Sequence, residues 1–152
     1  MQIDFRLVAV KDETATLLRL LQKNIVRGLK VVGFKIFETA RGEIVESPEP
    51  SEPGQPPHTR LTRPSGGQAK HAVRRGKNPM GALPRSIAYA VDPLAENVVI
   101  GPRAAILGPV GQAHEFGGQF RGRHYEPRPF MGPALQQNLA YIPSGLAGTV
   151  TS

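Results

Sequence analysis

Apolar and polar positions change period several times along this chain. In residues 3–10, Ile3, Phe5 and Leu7 alternate with Asp4 and Arg6, the period of a half-buried strand. We read this as a first strand at a sheet edge. Lys11, Asp12 and Glu13 then open a helix, with Asp12 as N-cap and Glu13 placed well against the helix dipole. Leu18, Leu21, Ile25, Leu29, Val32 and Ile36 follow at spacings of three and four, one apolar stripe. Lys23, Arg27, Lys30 and Lys35 lie largely off it. The pattern predicts a helix to about Arg41, on the order of 40 Å long. Gly28 and Gly33 fall inside it, where each costs roughly 1 kcal/mol relative to Ala. Local weakness or a gentle bend is the expectation there, with close approach of another backbone as the alternative.

The period of two returns at Ser86–Val91, where Ile87, Tyr89 and Val91 alternate with small residues. Asp92-Pro93 starts a turn, and Asn97–Ile100 forms a second strand before Gly101-Pro102. Together they predict an antiparallel hairpin. Residues 103–116 have room for a short helix, and the Gly117-Gly118 pair then permits a sharp reversal at positive φ. Pro127 and Pro129 fix φ on either side of Arg128. Phe116, Phe130 and Met131 stand out as apolar anchors in a polar, Gly/Pro-rich stretch. Pro133 suits the first turn of a helix from Ala134 to about Tyr141, which Pro143 ends, with room for one more turn after it.

Between these two ordered regions the composition changes. Residues 46–57 hold too many prolines for a helix or a central strand and are acidic. From His58 to Arg85 there are Lys and Arg residues but no Asp or Glu. A loop of this length in a compact domain is functional or disordered. The expected fold class is therefore α+β: a small, mainly antiparallel sheet packed by one long N-terminal helix and short C-terminal helices, with a long basic loop. Residues 1–152 read as a single domain, with the Pro-rich arm and basic loop at about 46–83.

The 152 residues include 17 glycines and 15 prolines, about a fifth of the chain and twice the usual share. The core is accordingly modest, which suits a protein completed by neighbours in an assembly. There is no cysteine, hence no disulfide or thiolate chemistry. No apolar run approaches the length of a membrane span, and the N-terminus lacks a signal-peptide layout. The net charge of +7 favours a polyanion or an acidic protein surface as partner.

His114-Glu115 is the place to test for catalysis or metal binding. A zincin helix requires a second His at position 118, which is Gly. His124 is ten residues on, and no Cys or Asp completes a ligand set. A structural hydrogen bond is expected for His114, and for Glu115 a pairing with an Arg of the loop or of a neighbour. No G-x-S-x-G elbow is present, and Ser86 and Ser144 have no evident base. No enzyme activity, metal or cofactor is expected. Phe130 is expected to pack in the core and Arg128 to form a buried or interfacial ion pair, since its fork matches a carboxylate. The basic loop is the best binding candidate, through Arg60, Arg63, Lys70, Arg74, Arg75 and Lys77. Its charges suit phosphates without base specificity. An acidic protein surface would serve equally well, and the loop has no aromatic residue on which bases could stack.

Taken in order, five motifs form a series. They are Pro56-Pro57-His58-Thr59-Arg60, Leu83 to Tyr89, Val98 to Pro102, His114-Glu115-Phe116-Gly117-Gly118, and Arg128-Pro129-Phe130-Met131 with Pro133-Ala134-Leu135. The series resembles the small tail-completion and head–tail joining proteins of tailed bacteriophages, including the minor tail component and the virion-morphogenesis proteins of Mu-like phages. The resemblance implies a homo-oligomeric ring, commonly a hexamer, at the neck or top of the tail. It implies a structural virion protein without catalysis, made in the host cytoplasm, touching connector and tail-tube proteins and lining a channel for phage DNA, with no membrane contact. His114, Glu115, Phe116, Gly117, Gly118, Arg128, Pro129 and Phe130 are the structural or interface residues it points to. The insert of about twenty residues between Arg63 and Leu83 departs from the short Arg-Thr-Gly turn frequent in that family. The alternative from another class is a non-specific nucleic-acid-binding protein acting through residues 58–85.

Overall fold

The structure, a computed structural model, describes residues 13–59, 82–107, 109–120 and 122–147. The expected strand at 3–10, the Asp12 cap and most of the basic loop lie outside these residues. The long helix is α1, Thr14–Gly42, about 43 Å in length. Its apolar stripe divides into two parts. Val32 and Ile36 are buried, and with them Gly28, Gly33 and Ala40. Leu18 and Leu21 of the same stripe are 59% and 48% exposed.

After α1 the Pro-rich arm runs extended and rejoins itself through a parallel bridge between Glu46 and Thr59. A short helix, α2 (Ala82–Ser86), leads into strand β1 (Ile87–Asp92), which pairs with β2 (Asn97–Pro102). The strand thus starts one residue later than the alternation predicts. Ser86 instead ends a helical turn, its buried hydroxyl donating to the Leu83 carbonyl at 2.7 Å. The hairpin is antiparallel, with Ile87 opposite Pro102 and Asp92 opposite Asn97. Its turn is closed by Asp92, whose Oδ1 accepts the N–H groups of Leu94 and Ala95.

The region predicted to hold one short helix holds two, α3 (Ala104–Leu107) and α4 (Val110–Phe116). A second hairpin follows, β3 (Gly118–Phe120) against β4 (Arg123–Tyr125). The alternation there is too short to be legible in the sequence. Helix α5 spans Met131–Asn138 and α6 spans Tyr141–Ala147. Pro143 therefore does not terminate a helix. It occupies the first turn of α6, as Pro133 does in α5, where a missing N–H removes no intrahelical bond.

The core is formed by Val32, Ile36, Ala40 and Ile44 on one side and by Leu83, Ile87, Phe130 and Ala134 on the other. α1 packs across β1, β2, α5 and α6. Gly33 sits under the first hairpin: a Cβ there would lie 2.7 Å from Val98 Cγ2 and 3.1 Å from the Tyr89 ring. Its glycine thus reflects close approach rather than local weakness, and what approaches is side chains, not a backbone. Across α1, Asn138 is buried and bonds Thr39 Oγ1 at 2.9 Å and the Ala134 carbonyl at 2.8 Å, which ties α5 to α1 and satisfies a buried amide.

Candidate functional site

The segments from His114 to Gly118 and from Arg128 to Met131 meet in space. Glu115 projects from the last turn of α4 to the start of α5. Its Oε2 accepts the N–H groups of Phe130 at 2.9 Å and Met131 at 3.0 Å, and its Oε1 accepts that of Gly132 at 2.8 Å. The next residue, Pro133, has no N–H. One carboxylate from fifteen residues upstream thereby satisfies the opening donors of α5, whose N-cap residue Phe130 makes no side-chain cap of its own. A negative group at a helix N-terminus also lies favourably in the helix dipole. Gly132 keeps this approach open, since a Cβ would lie 3.3 Å from Oε1.

Arg128 binds on both sides. Its backbone N–H donates to the His114 carbonyl at 2.6 Å, and its Nε donates to the Ser51 carbonyl at 3.0 Å. The Gly54 N–H donates to the Pro127 carbonyl at 2.8 Å. The Pro-rich arm is therefore strapped to the clasp. Ser51 and Pro57 are buried beneath it. Gly117 has φ 69° and its N–H donates to the Ala113 carbonyl, ending α4. A Cβ at Gly117 would lie 2.8 Å from the Tyr125 carbonyl oxygen. Gly118, at φ 104°, starts β3.

These residues take the following places. Among the described residues Glu115 pairs with the backbone donors of α5; the loop arginines expected as its partners lie outside them. Among the described residues Arg128 donates through Nε to a carbonyl. His114 contributes its main-chain carbonyl as the bond acceptor. Its ring is half-buried, and burial first and the positive charge of Arg128 second push its pKa below the usual imidazole value. Phe116 is not a buried anchor but is 75% exposed. Phe130 is fully buried, as expected, and Pro129 half-buried beside it. Arg60, Arg63, Lys70, Arg74, Arg75 and Lys77 lie outside the described residues.

Beside the clasp a groove of about 670 Å³ opens between the end of β2, α4 and the start of α5. Its walls include Ile100, Pro102, Pro109, Phe116, Phe130 and Met131. Glu115 is the acidic residue along it, and both its oxygens are occupied by α5. Among the described residues no three His, Asp or Glu side chains gather as a metal site, and no helix is long and apolar enough to cross a membrane. What the sequence left unread is the strap from Ser51 and Gly54, because the bonds run to main-chain atoms that carry no residue-type signal.

Compared with protein-family models, with curated proteins and with solved structures, the chain matches none of them.

Proposed function

We propose that this chain is a structural virion protein of a tailed phage or prophage, forming a ring at the head–tail junction that joins head to tail and lines the DNA channel. The observation that carries the reading is the Glu115 clasp. The two most distinctive motifs of the series that resembles tail-completion proteins are interlocked by three main-chain hydrogen bonds to one carboxylate. The polar groups available for chemistry are used to hold elements together: Glu115 caps a helix, Arg128 fastens the arm and Asn138 joins two helices. A frame this fully committed to shape suits a protein whose role is geometric.

The exposed apolar side chains support assembly as well. Leu17, Leu18 and Leu20, close together at the start of α1, are each more than half exposed, and a group of exposed apolar side chains suits an interaction surface. In the ring, connector and tail-tube proteins are the neighbours, and phage DNA passes through the channel.

Electron microscopy of the purified chain, alone and mixed with tails lacking it, is the test. Rings or decorated tail ends are expected. A chain that stays monomeric and never enters particles would overturn the reading.

A further inference from the structure

Two surfaces of this chain complement each other, one apolar and basic, the other apolar and acidic. The first is the outer face of α1. Residues 13–23 are all exposed. Leu17, Leu18, Leu20 and Leu21 in its first turns are 66%, 59%, 53% and 48% exposed, while Val32 and Ile36 further along are buried. Alongside these leucines runs a basic row, Arg19, Lys23, Arg27 and Lys30, at steps of four and three. The second surface is the groove walled by Phe116, Phe130 and Met131. Next to it, strapped to Pro127 and Arg128, lies the arm with exposed Glu46, Glu49 and Glu52 and no Lys or Arg from Gly42 to Thr59.

Arg19, Lys23 and Lys30 make no ion pair among the described residues, and neither do the three glutamates. Lys23 is about 28 Å from the end of α1, measured along the helix axis. The arm is fastened to Arg128 and Pro127 through Ser51 and Gly54. Among the described residues no ion pair joins Arg19, Lys23 or Lys30 to the arm.

We infer that the N-terminal half of α1 of one copy docks in the Phe116 groove of the next copy, with Arg19 and Lys23 facing the acidic arm. The occupant is a second copy because both halves of the match, apolar and charged, are carried by the same chain. Helix-in-groove docking uses residues at such spacings as anchors, and the opposite charges set register and suppress wrong partners. The contact joins different patches on the two copies, so it is head-to-tail and propagates into a ring when the rotation closes. The inference rests on the ring reading and names the contact that would build it.

The test uses the full chain and three samples. One carries Arg19→Glu with Lys23→Glu, one carries Glu49→Arg with Glu52→Arg, and the third is their equimolar mixture. Mass is measured by sedimentation, and folding is checked by thermal melts. The wild type should exceed the 16.4 kDa monomer mass. Each charge-reversed variant should melt as the wild type does but fall to monomer mass, and the mixture should regain the oligomer, because each now carries the other's complement. A wild-type oligomer unaffected by both reversals would overturn this contact and leave the ring reading standing. A wild type that stays monomeric at every concentration, with a monomeric mixture, would overturn both. If the helix reversal abolishes binding to a duplex DNA probe and leaves the oligomer intact, the basic row faces nucleic acid and the inference fails.

Discussion

The clasp around α5 and the outer face of α1 handle their side chains in opposite ways. In the clasp the principal groups are engaged: Glu115 meets three N–H donors, Arg128 bonds through main chain and side chain, and Phe130 is fully buried. On α1 the leucines at 17 and 20 face solvent, and Arg19 and Lys23 beside them make no ion pair among the described residues. Folding stability should be concentrated in the first region and association in the second. A chain with 17 glycines and 15 prolines cannot bury a large core, so it ties loops together through polar bonds to main chain and leaves apolar surface for other molecules.

The comparison can be broken most forcefully at Phe130. Replacing this fully buried ring by alanine should cost about 3–5 kcal/mol, read as a lower midpoint in urea denaturation. Glu115→Ala should cost about 2–3 kcal/mol, because it leaves several helix N–H groups without their acceptor. Glu115→Gln, which retains acceptor capacity without the charge, should recover part of that loss in the same denaturation series.

A smaller effect is expected from pH. The His114 pKa is lowered in the folded state from its ordinary value of 6.5. The unfolded chain thus binds a proton first as pH falls. The stabilisation from a neutral His114 is complete above pH 6.5 and is lost as pH drops from there through the lower folded-state value. His114→Gln should flatten the pH dependence of the melting temperature across that window while leaving the slope at higher pH unchanged. The smallest effect should come from α1: Leu20→Ser should change folding stability by no more than about 0.5 kcal/mol. A destabilisation comparable to that of Phe130→Ala would show that Leu20 belongs to a core and erase the contrast between the two regions.

The elements with a long period were legible in the sequence. The α1 stripe predicted the helix to within a residue at Arg41, and the alternation of Ile87, Tyr89 and Val91 predicted the first hairpin. Prolines were less informative. Pro143 reads as a stop signal, yet in the first turn of α6 it is compatible with a helix, and only the position of the helix start distinguishes the two uses. Gly33 reads as a weak point in a helix until Val98 and Tyr89 are placed over it. Phe116 and Phe130 look alike in sequence, two aromatics beside turns, but one is 75% exposed and the other is fully buried.

By itself the sequence determined the period of each main element, the acidic-to-basic reversal along the chain and the backbone freedom of Gly117 and Gly118. These are local properties, set by steric limits on φ and ψ and by side-chain spacing. Tertiary structure decided the partner of Glu115, the strapping of the arm to Arg128, and which half of the α1 stripe is covered. Each depends on groups far apart in sequence brought within bonding distance, and many of those groups are main-chain atoms that every residue shares.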